Sequence, residues 1–160
     1  MKKVAVYPGS FDPITMGHVD IINRISPYFE KVIVLVANSS QKVSLFSAEE
    51  RQILIQKSLS HLPRIEVDIF NGLTVDYMRK NSAQVIVRGL RAVADFEYEM
   101  TMASMNKKLS PEFETFLVFA SPEYYYISSR GVKEVGINHG ALQGLVPLPV
   151  EQALQQKFKK

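Results

Sequence analysis

The sequence predicts an α/β fold: a single doubly wound (Rossmann-like) domain over residues 1–160, with a five-stranded parallel sheet and helices on both faces. Three observations predict this fold. Apolar runs alternate with segments of helical period about five times along the chain. No internal repeat, low-complexity stretch or linker interrupts this order. The length of 160 residues suits one domain with one hydrophobic core.

The five predicted strands are short apolar runs. Residues 31–37 are apolar almost throughout, which is typical of a strand that is buried on both faces of a parallel sheet. Residues 64–70 alternate between polar and apolar side chains, as a half-buried strand does. We predict strands at residues 2–7, 31–37, 64–70, 84–88 and 114–120.

Six helices are predicted between and after these strands. The first places Val19, Ile22 and Ile25 on one side. Ser47 and Glu50 form a capping box, so a second helix begins there and runs to about residue 61. Ligands in such folds bind beyond the carboxyl ends of the strands, so functional residues are expected in the segments that follow them. We predict helices at residues 17–28, 47–61, 73–80, 94–108, 128–135 and 150–159.

Composition excludes several kinds of protein. There is no cysteine, which excludes disulfides, thiolate zinc sites and cysteine nucleophiles. No apolar run is long enough to span a membrane, and the apolar stretch near the N-terminus is too short for a signal peptide. The net charge is only +3, and three lysines fall within the last four residues, so we expect no nucleic-acid partner. These observations predict a cytoplasmic protein with no membrane partner.

The first motif directly follows the first predicted strand. Residues 7–18 read Tyr-Pro-Gly-Ser-Phe-Asp-Pro-Ile-Thr-Met-Gly-His. A glycine and a hydroxyl lie ahead of a helix start, whose unpaired N–H groups and positive dipole end suit a phosphate. His18 could donate a hydrogen bond to a phosphate oxygen, although an ordinary turn with a surface histidine is the alternative. The string is neither a Walker loop nor a Gly-x-Gly-x-x-Gly fingerprint.

The second motif follows the fourth predicted strand. Arg88 and Arg91 flank a Gly-Leu pair at the strand end. Arginine forks match phosphate oxygens in a bidentate fashion, so these two side chains are candidates for anion binding. The alternative is that they form ion pairs with Asp95, Glu97 or Glu99, which are close enough in sequence to compete for them.

The third motif lies between the fifth predicted strand and a short helix. Three tyrosines are followed by an isoleucine, two serines and Arg130 over residues 124–130. Serines at a helix start can cap the helix while their N–H groups face an anion. Capping alone is the alternative for the serines, and packing against the core is the alternative for the tyrosines.

Together the three motifs resemble the bacterial phosphopantetheine adenylyltransferase family of the nucleotidyltransferase superfamily. That superfamily has a Thr/His-x-Gly-His element that binds the nucleotide triphosphate, and Thr15, Met16, Gly17 and His18 match it. The resemblance covers nearly the whole chain and preserves the spacing between the motifs. It implies an enzyme of coenzyme A biosynthesis that transfers the adenylyl group of ATP to 4′-phosphopantetheine, giving dephospho-coenzyme A and pyrophosphate.

The resemblance also implies roles for individual residues. The catalytic residues would be Ser10, His18, Lys42 and Arg88, with His18 stabilising the transition state and Lys42 binding the reacting phosphates. The residues that bind ATP would be Ser10, Phe11, His18, Gly89, Leu90, Arg91, Glu99, Tyr124, Tyr125, Tyr126, Ile127, Ser128, Ser129 and Arg130. The residues that bind the acceptor would be Ser10, Lys42, Leu73, Thr74, Arg88 and Asn106.

A magnesium ion, a hexameric assembly and a feedback ligand are implied as well. The sequence has no carboxylate cluster with clear ligand spacing, so Mg²⁺ would be held mainly by ATP and water. The family resemblance suggests a homohexamer and inhibition by coenzyme A. The chain departs from the family at four positions: Ser10 replaces a usual threonine, Arg130 a usual serine or threonine, Thr74 an often apolar residue, and Gly72 a more common acid.

Three other functions compete with this prediction. A related adenylyl- or cytidylyltransferase that acts on nicotinamide mononucleotide or a phosphorylated alcohol would share the first motif, but the block from Arg88 to Glu99 and the chain length favour pantetheine. A non-catalytic nucleotide sensor would be expected to lack His18, Lys42 or Arg88, and all three are present. A nucleic-acid-binding module would need a broad basic face, which the sequence lacks.

Overall fold

The computed structural model describes residues 3–37 and 43–159. Within them, five strands form one parallel sheet in the order β3-β2-β1-β4-β5. The predicted five-stranded parallel sheet is therefore confirmed. Each strand lies within two residues of its predicted bounds: β1 Val4–Gly9, β2 Lys31–Ala37, β3 Ile65–Phe70, β4 Val85–Leu90 and β5 Glu114–Phe119.

Helices occur at all six predicted places. The first was predicted to reach residue 28, but it ends at Ile25 and continues as a 3₁₀ turn, because Pro27 has no N–H to extend the helical hydrogen bonds. The predicted capping box forms: the N–H of Glu50 donates to the Ser47 hydroxyl over 3.1 Å, and the N–H of Ser47 donates to the Glu50 carboxylate over 2.7 Å. The helices are α1 Met16–Ile25, α2 Ala48–Ser58, α3 Thr74–Lys80, α4 Val93–Leu109, α5 Ser129–Ile137 and α6 Leu148–Lys157.

The sheet has an apolar core on each face, as a doubly wound fold requires. On one face, alternate residues of β1, β2 and β4 pack with side chains of α1, α2, α5 and α6, in a cluster that includes Ala5, Val34, Val87, Ile22, Ile55, Val132 and Leu154. On the other face, the intervening strand residues pack mainly against α3, in a cluster that includes Val6, Ile33, Leu35, Ile86, Val75 and Met78. No described helix is both long enough and apolar enough to cross a bilayer.

The sheet opens where its strand order reverses, between β1 and β4. The pairing of β1 with β2 extends from Val4 to Gly9, but β1 pairs with β4 only at Ala5 and Val6. Pro8 has no N–H with which to extend the hydrogen-bonded ladder toward β4. The carboxyl ends of β1 and β4 therefore leave a gap at the position where open α/β sheets bind ligands.

One surface of the molecule is apolar and exposed. It is formed by exposed apolar side chains of α4 and of β5, which is an edge strand of the sheet. Exposed edge strands and large apolar patches usually mark an interaction surface. We call this surface the α4–β5 face; its exposed apolar residues are Phe96, Met100, Met105, Leu109, Phe116 and Phe119.

Candidate active site

Two adjoining cavities occupy the gap between β1 and β4. The first has a volume of about 300 Å³ and lies beside the start of α5, so we call it the α5 cavity. The second has a volume of about 430 Å³ and lies against α4, so we call it the α4 cavity. Five residues line both: Pro8, Gly9, Ser10, Arg88 and Glu99. The cavities are thus two compartments of one site with a common wall.

Most residues predicted from the sequence line these compartments. The α5 cavity contains predicted ATP-binding and catalytic residues, namely Ser10, Phe11, His18, Arg88, Gly89, Arg91, Glu99, Ser128, Ser129 and Arg130. The α4 cavity contains predicted acceptor-binding residues, namely Ser10, Leu73, Thr74, Arg88 and Asn106. The two predicted groups therefore lie mainly in different compartments and meet at Ser10, Arg88 and Glu99.

A few predicted residues lie away from both cavities. Leu90 and Ile127 are buried in the protein, and Tyr124 packs against the core. Tyr125 and Tyr126 are exposed and contact each other edge to face. Lys42 lies outside the described residues. The roles that the resemblance implies for these residues stay predictions.

One ring nitrogen of His18 is committed to the start of α1. The backbone N–H of Thr15 donates to Nδ1 of His18 over 3.0 Å, so the histidine takes the place that Glu or Gln holds in a usual capping box. A backbone N–H can only donate, so Nδ1 must be unprotonated. The neutral ring therefore carries its proton on Nε2, which leaves that N–H to serve the α5 cavity.

The surroundings of His18 keep its ring neutral. Burial, followed by the positive charges of Arg91 and Arg88, lowers the pKa of His18 from 6.5 to about 4. At neutral pH the imidazole is therefore a hydrogen-bond donor through Nε2, without a formal charge. Such a donor can stabilise a phosphate oxygen on which negative charge develops.

Arg88 stands in the wall between the two cavities. Its Nε and Nη2 donate to the two carboxylate oxygens of Glu99 over 2.7 and 2.6 Å, and its Nη1 donates to the carbonyl of Pro8. Burial opposes the charge on Arg88, but the carboxylate of Glu99 outweighs it and raises the pKa of Arg88. Within the described residues these bonds use three of the five guanidinium N–H groups, which leaves one on Nη1 and one on Nη2 for a ligand.

Arg91 forms a second ion pair at the rim of the α5 cavity. Its Nε and Nη2 donate to the carboxylate of Asp95 over 3.0 and 3.1 Å. Burial would raise the pKa of Asp95, but the hydrogen bonds and charge of Arg91 outweigh this and lower it. Both arginines therefore form the ion pairs that the sequence left as an alternative, and both still line the site.

The first loop is held by a buried carboxylate that the sequence analysis missed. The backbone N–H groups of Leu45 and Phe46 each donate to Asp12 over 2.9 Å, and Nζ of Lys133 donates to it over 2.9 Å. Burial would raise the pKa of Asp12, but these hydrogen bonds and the charge of Lys133 lower it. Asp12 thereby ties the loop after β1 both to α5 and to the segment that precedes α2.

Two further side chains fix the same loop. Nη1 of the buried Arg51 donates to the carbonyl of Ser10 over 2.7 Å, and the hydroxyl of Ser129 donates to the carbonyl of Pro13 over 2.8 Å. Phe11 adopts a φ of 45°, which bulky residues rarely do, and its ring packs edge-on against His18. A Cβ on Gly9 would lie 2.9 Å from the Phe11 ring, so glycine at that position allows the ring to pack.

Some helix-terminal N–H groups that the sequence offered to a phosphate are already occupied. The N–H of Met16 donates to the carbonyl of Leu145 over 3.0 Å, and the N–H of Gly131 donates to the hydroxyl of Ser128 over 3.0 Å. Anion binding at this site therefore depends more on side chains, and less on N–H groups at helix starts, than the sequence predicted.

Part of what was missed had a signal in the sequence. Tyr98 and Met102 were missed, but they line the α4 cavity together with the predicted Asn106, and the three recur every four residues, so one face of a helix was recognisable. Asp12 and Lys133 are separated by 121 positions, and no local pattern connects them.

Among the described residues, no group of three or more histidine, aspartate or glutamate side chains is placed to hold a metal.

Comparisons with known proteins agree with this geometry. A family model described as cytidylyltransferase-like matches residues 6–135. The phosphopantetheine adenylyltransferase of Bdellovibrio bacteriovorus is 74% identical over 160 residues, which is the whole of both chains. That of Desulforudis audaxviator is 53% identical over 156 residues, covering 98% of this chain and 96% of the relative.

A solved structure has the same fold at low identity. It is a Vibrio parahaemolyticus protein named as a nicotinate-nucleotide adenylyltransferase, with a TM-score of 0.73 and 17% identity. The match covers 97% of this chain and 99% of the other, so the fold is shared over the whole length.

An NMR titration of the histidine rings tests the state of His18. We expect His18 to carry its proton on Nε2 and to titrate with a pKa of about 4, because it is buried beside two arginines. The unfolded chain binds a proton below pH 6.5, so the contribution of His18 to stability should be complete above that pH and fall as the pH drops toward 4. A ring protonated on Nδ1, or one that titrates near 6.5, would contradict the assignment.

The substitution Asp12→Asn tests the anchor of the first loop. We expect it to lower the free energy of unfolding at pH 7 by roughly 3 kcal/mol, because it removes a buried charged acceptor from Lys133. Since the pKa of Asp12 is lowered in the folded state, the difference from the unmodified protein should shrink as the pH falls below about 4. Denaturant unfolding at several pH values measures it.

Asp20 offers a matched control. It accepts hydrogen bonds from the N–H and hydroxyl of Ser121 and from Arg24, at 3.0, 2.9 and 3.1 Å, but it lines neither cavity. We expect Asp20→Asn to destabilise the fold without changing ligand binding. Asp12→Asn should destabilise the fold and weaken ligand binding as well. Equal binding by both variants would show that the anchor at Asp12 is merely structural.

Proposed function

The chain belongs to the phosphopantetheine adenylyltransferases, within the cytidylyltransferase-like proteins, and from that membership we infer that it transfers the adenylyl group of ATP to 4′-phosphopantetheine in coenzyme A biosynthesis. The products are dephospho-coenzyme A and pyrophosphate. One observation of this structure supports the inference above all others: the two cavities share a wall that carries Ser10 and Arg88. A reaction between two phosphorylated molecules needs two compartments that meet at cationic and hydroxyl donors.

The compartments suit the two reactants in different ways. The α5 cavity has residues of the first motif, Arg91 and the two serines at the start of α5, and we assign ATP to it. The α4 cavity is flanked by Leu73, Met102 and Asn106, a mixture of apolar and amide groups that fits a pantetheine arm. With this assignment, the phosphate of the acceptor and the α-phosphate of ATP meet beside Arg88.

The proposed reaction is an in-line displacement at the α-phosphorus of ATP. An oxygen of the acceptor phosphate forms the new P–O bond, and the bond to pyrophosphate breaks. The attacking phosphate is already an anion near neutral pH, so it needs no strong general base. This agrees with a neutral His18, whose Nε2–H can stabilise the transferring phosphate while Arg88 and Ser10 orient the acceptor. We retain Lys42 as a phosphate-binding residue on the basis of the family resemblance.

We propose that Mg²⁺ enters the site bound to ATP. Without a cluster of ligating side chains among the described residues, we propose that Mg²⁺ is held mainly by the phosphates and by water. The ion would offset charge on the triphosphate.

Coenzyme A contains the same pantetheine arm as the acceptor, so we propose that it competes for the α4 cavity as a feedback ligand. We also propose a cytoplasmic location.

A homohexamer is the assembly that we propose. The α4–β5 face supports it, because its exposed phenylalanine, methionine and leucine side chains are well suited to pack against another copy of the chain. The edge strand β5 lies in this face, and a neighbouring copy would cover it.

Two substitutions of His18 separate its catalytic role from its role in capping α1. Asn places an oxygen near the position of Nδ1, so His18→Asn keeps an acceptor for Thr15 but removes the Nε2 donor. We expect it to lower turnover about 100- to 1,000-fold, the loss of roughly 3–4 kcal/mol that follows removal of such a donor. The affinity for ATP should change far less. The assay follows dephospho-coenzyme A and pyrophosphate formed from ATP and 4′-phosphopantetheine.

The complementary variant is His18→Gln, which places an amide near Nε2 and loses the cap. It should retain more activity than His18→Asn while being less stable. An unchanged turnover in His18→Asn would contradict the role of His18. The same assay with CTP in place of ATP, and with nicotinamide mononucleotide as acceptor, tests the competing transferase activities. If no pyrophosphate forms with any acceptor, the result would favour a nucleotide sensor.

Light scattering coupled to size-exclusion chromatography tests the assembly. We expect a particle of six 18.1 kDa chains. Phe116→Glu places a charge in the α4–β5 face and should yield smaller species. Tyr28→Glu is the control, because Tyr28 is also exposed but lies in the turn after α1. A monomeric unmodified protein would contradict the hexamer.

A further inference from the structure

Glu99 has an unusual position on its helix. Of the α4 side chains that the structure describes, it alone is buried, while the apolar residues around it are wholly or partly exposed. A helix normally buries apolar side chains against a sheet, and an acidic side chain is rarely buried unless it is paired. The one side chain that α4 buries is therefore a carboxylate, and it points at the wall between the two cavities.

The carboxylate of Glu99 is already committed to Arg88. Its two oxygens accept one hydrogen bond each from Nη2 and Nε of Arg88, over 2.6 and 2.7 Å. The pair is well shielded, since the side chain of Glu99 is 9% exposed and that of Arg88 is 27% exposed. Side-on bidentate pairs of this kind fix the plane of the guanidinium as well as its distance.

On the basis of the proposed function, we propose that Glu99 is a positioning residue for the acceptor phosphate and acts through Arg88. By fixing the guanidinium plane, Glu99 keeps the remaining N–H groups on Nη1 and Nη2 directed at a phosphate in the common wall. The carbonyl of Pro8 holds the same guanidinium from β1. Through Arg88, Glu99 therefore contributes to the affinity for the phosphate of the acceptor, in addition to the contact with ATP that the family resemblance implies for it.

A second ion pair of similar form shows what is specific to Glu99. Arg91 and Asp95 are also joined by a two-nitrogen fork, but Asp95 lines only the α5 cavity. Its side chain is 26% exposed, compared with 9% for Glu99. Loss of the Asp95 carboxylate should therefore leave the α4 cavity unaffected.

The test compares binding of 4′-phosphopantetheine with binding of pantetheine, which lacks the phosphate, by calorimetry. We expect Glu99→Gln to weaken binding of 4′-phosphopantetheine at least about tenfold, within the coupling range of residues in one ion-pair network. Binding of pantetheine should change little. Asp95→Asn should leave the affinity for 4′-phosphopantetheine unchanged.

A double-mutant cycle then tests whether Glu99 acts through Arg88. Arg88→Lys alone should weaken binding of 4′-phosphopantetheine, because an ammonium cannot form the fork. Adding Glu99→Gln to Arg88→Lys should cause little further loss. Independent, additive losses would overturn the proposal, and so would an equal loss for pantetheine, which would indicate a general disturbance of α4. A rise confined to the KM for ATP would overturn it as well.

Two further measurements keep the outcome interpretable. Glu99→Asp keeps the charge but is one methylene shorter, so it should fold and still show the loss specific to the phosphate, even where Glu99→Gln fails to fold. Formation of dephospho-coenzyme A by the unmodified protein is measured separately. If that reaction is absent, the proposed function fails; if it is present and the variants bind normally, only the role of Glu99 fails.

Discussion

The ion pair between Arg88 and Glu99 is the interaction on which the organisation of this site depends. It joins β4 to α4, and it also forms the wall shared by the two cavities. Because Arg88 reaches the carbonyl of Pro8 as well, the pair closes over the gap where β1 and β4 stop pairing. A buried ion pair adds little net stability compared with apolar packing, and removal of either partner is costly. Its value here is geometric, since it holds a cation in the wall that the two cavities share.

Side-chain hydrogen bonds also fix the other side of the site, which is the loop after β1. Hydrogen bonds of Asp12, Arg51 and Ser129 together tie the loop after β1 to α2, to α5 and to the segment that precedes α2. The loop could not be rigid by virtue of its own backbone alone, since loops lack the repeated hydrogen bonds of helices and strands. Rigid placement of donors is what a transfer between two phosphates requires, because a reaction that needs no strong base depends on positioning.

The sequence was sufficient to predict the sheet and the places of all six helices, because apolar periodicity and the capping box at Ser47 are local signals. Most residues to which the family resemblance gives a role line the two cavities, because the motifs after β1 and β4 come together at one edge of a parallel sheet. Their roles stay predictions. Helix ends were less predictable, as Pro27 illustrates at the end of α1. The partnerships of Asp12 with Lys133 and of Arg51 with Ser10 were not predictable, because they join distant segments. For Glu99, the sequence suggested several partners, and only the fold selects Arg88.

The capping role of His18 has a consequence for how the rate depends on acidity. With Nδ1 occupied by Thr15 and the ring neutral down to about pH 4, the histidine has the same form throughout the physiological range. The second ionisation of a phosphate monoester, near pH 6, is then the proton equilibrium that matters between neutrality and mild acid. A plot of rate against pH in this range would thus report on the ionisation of substrate phosphates and not on that of His18.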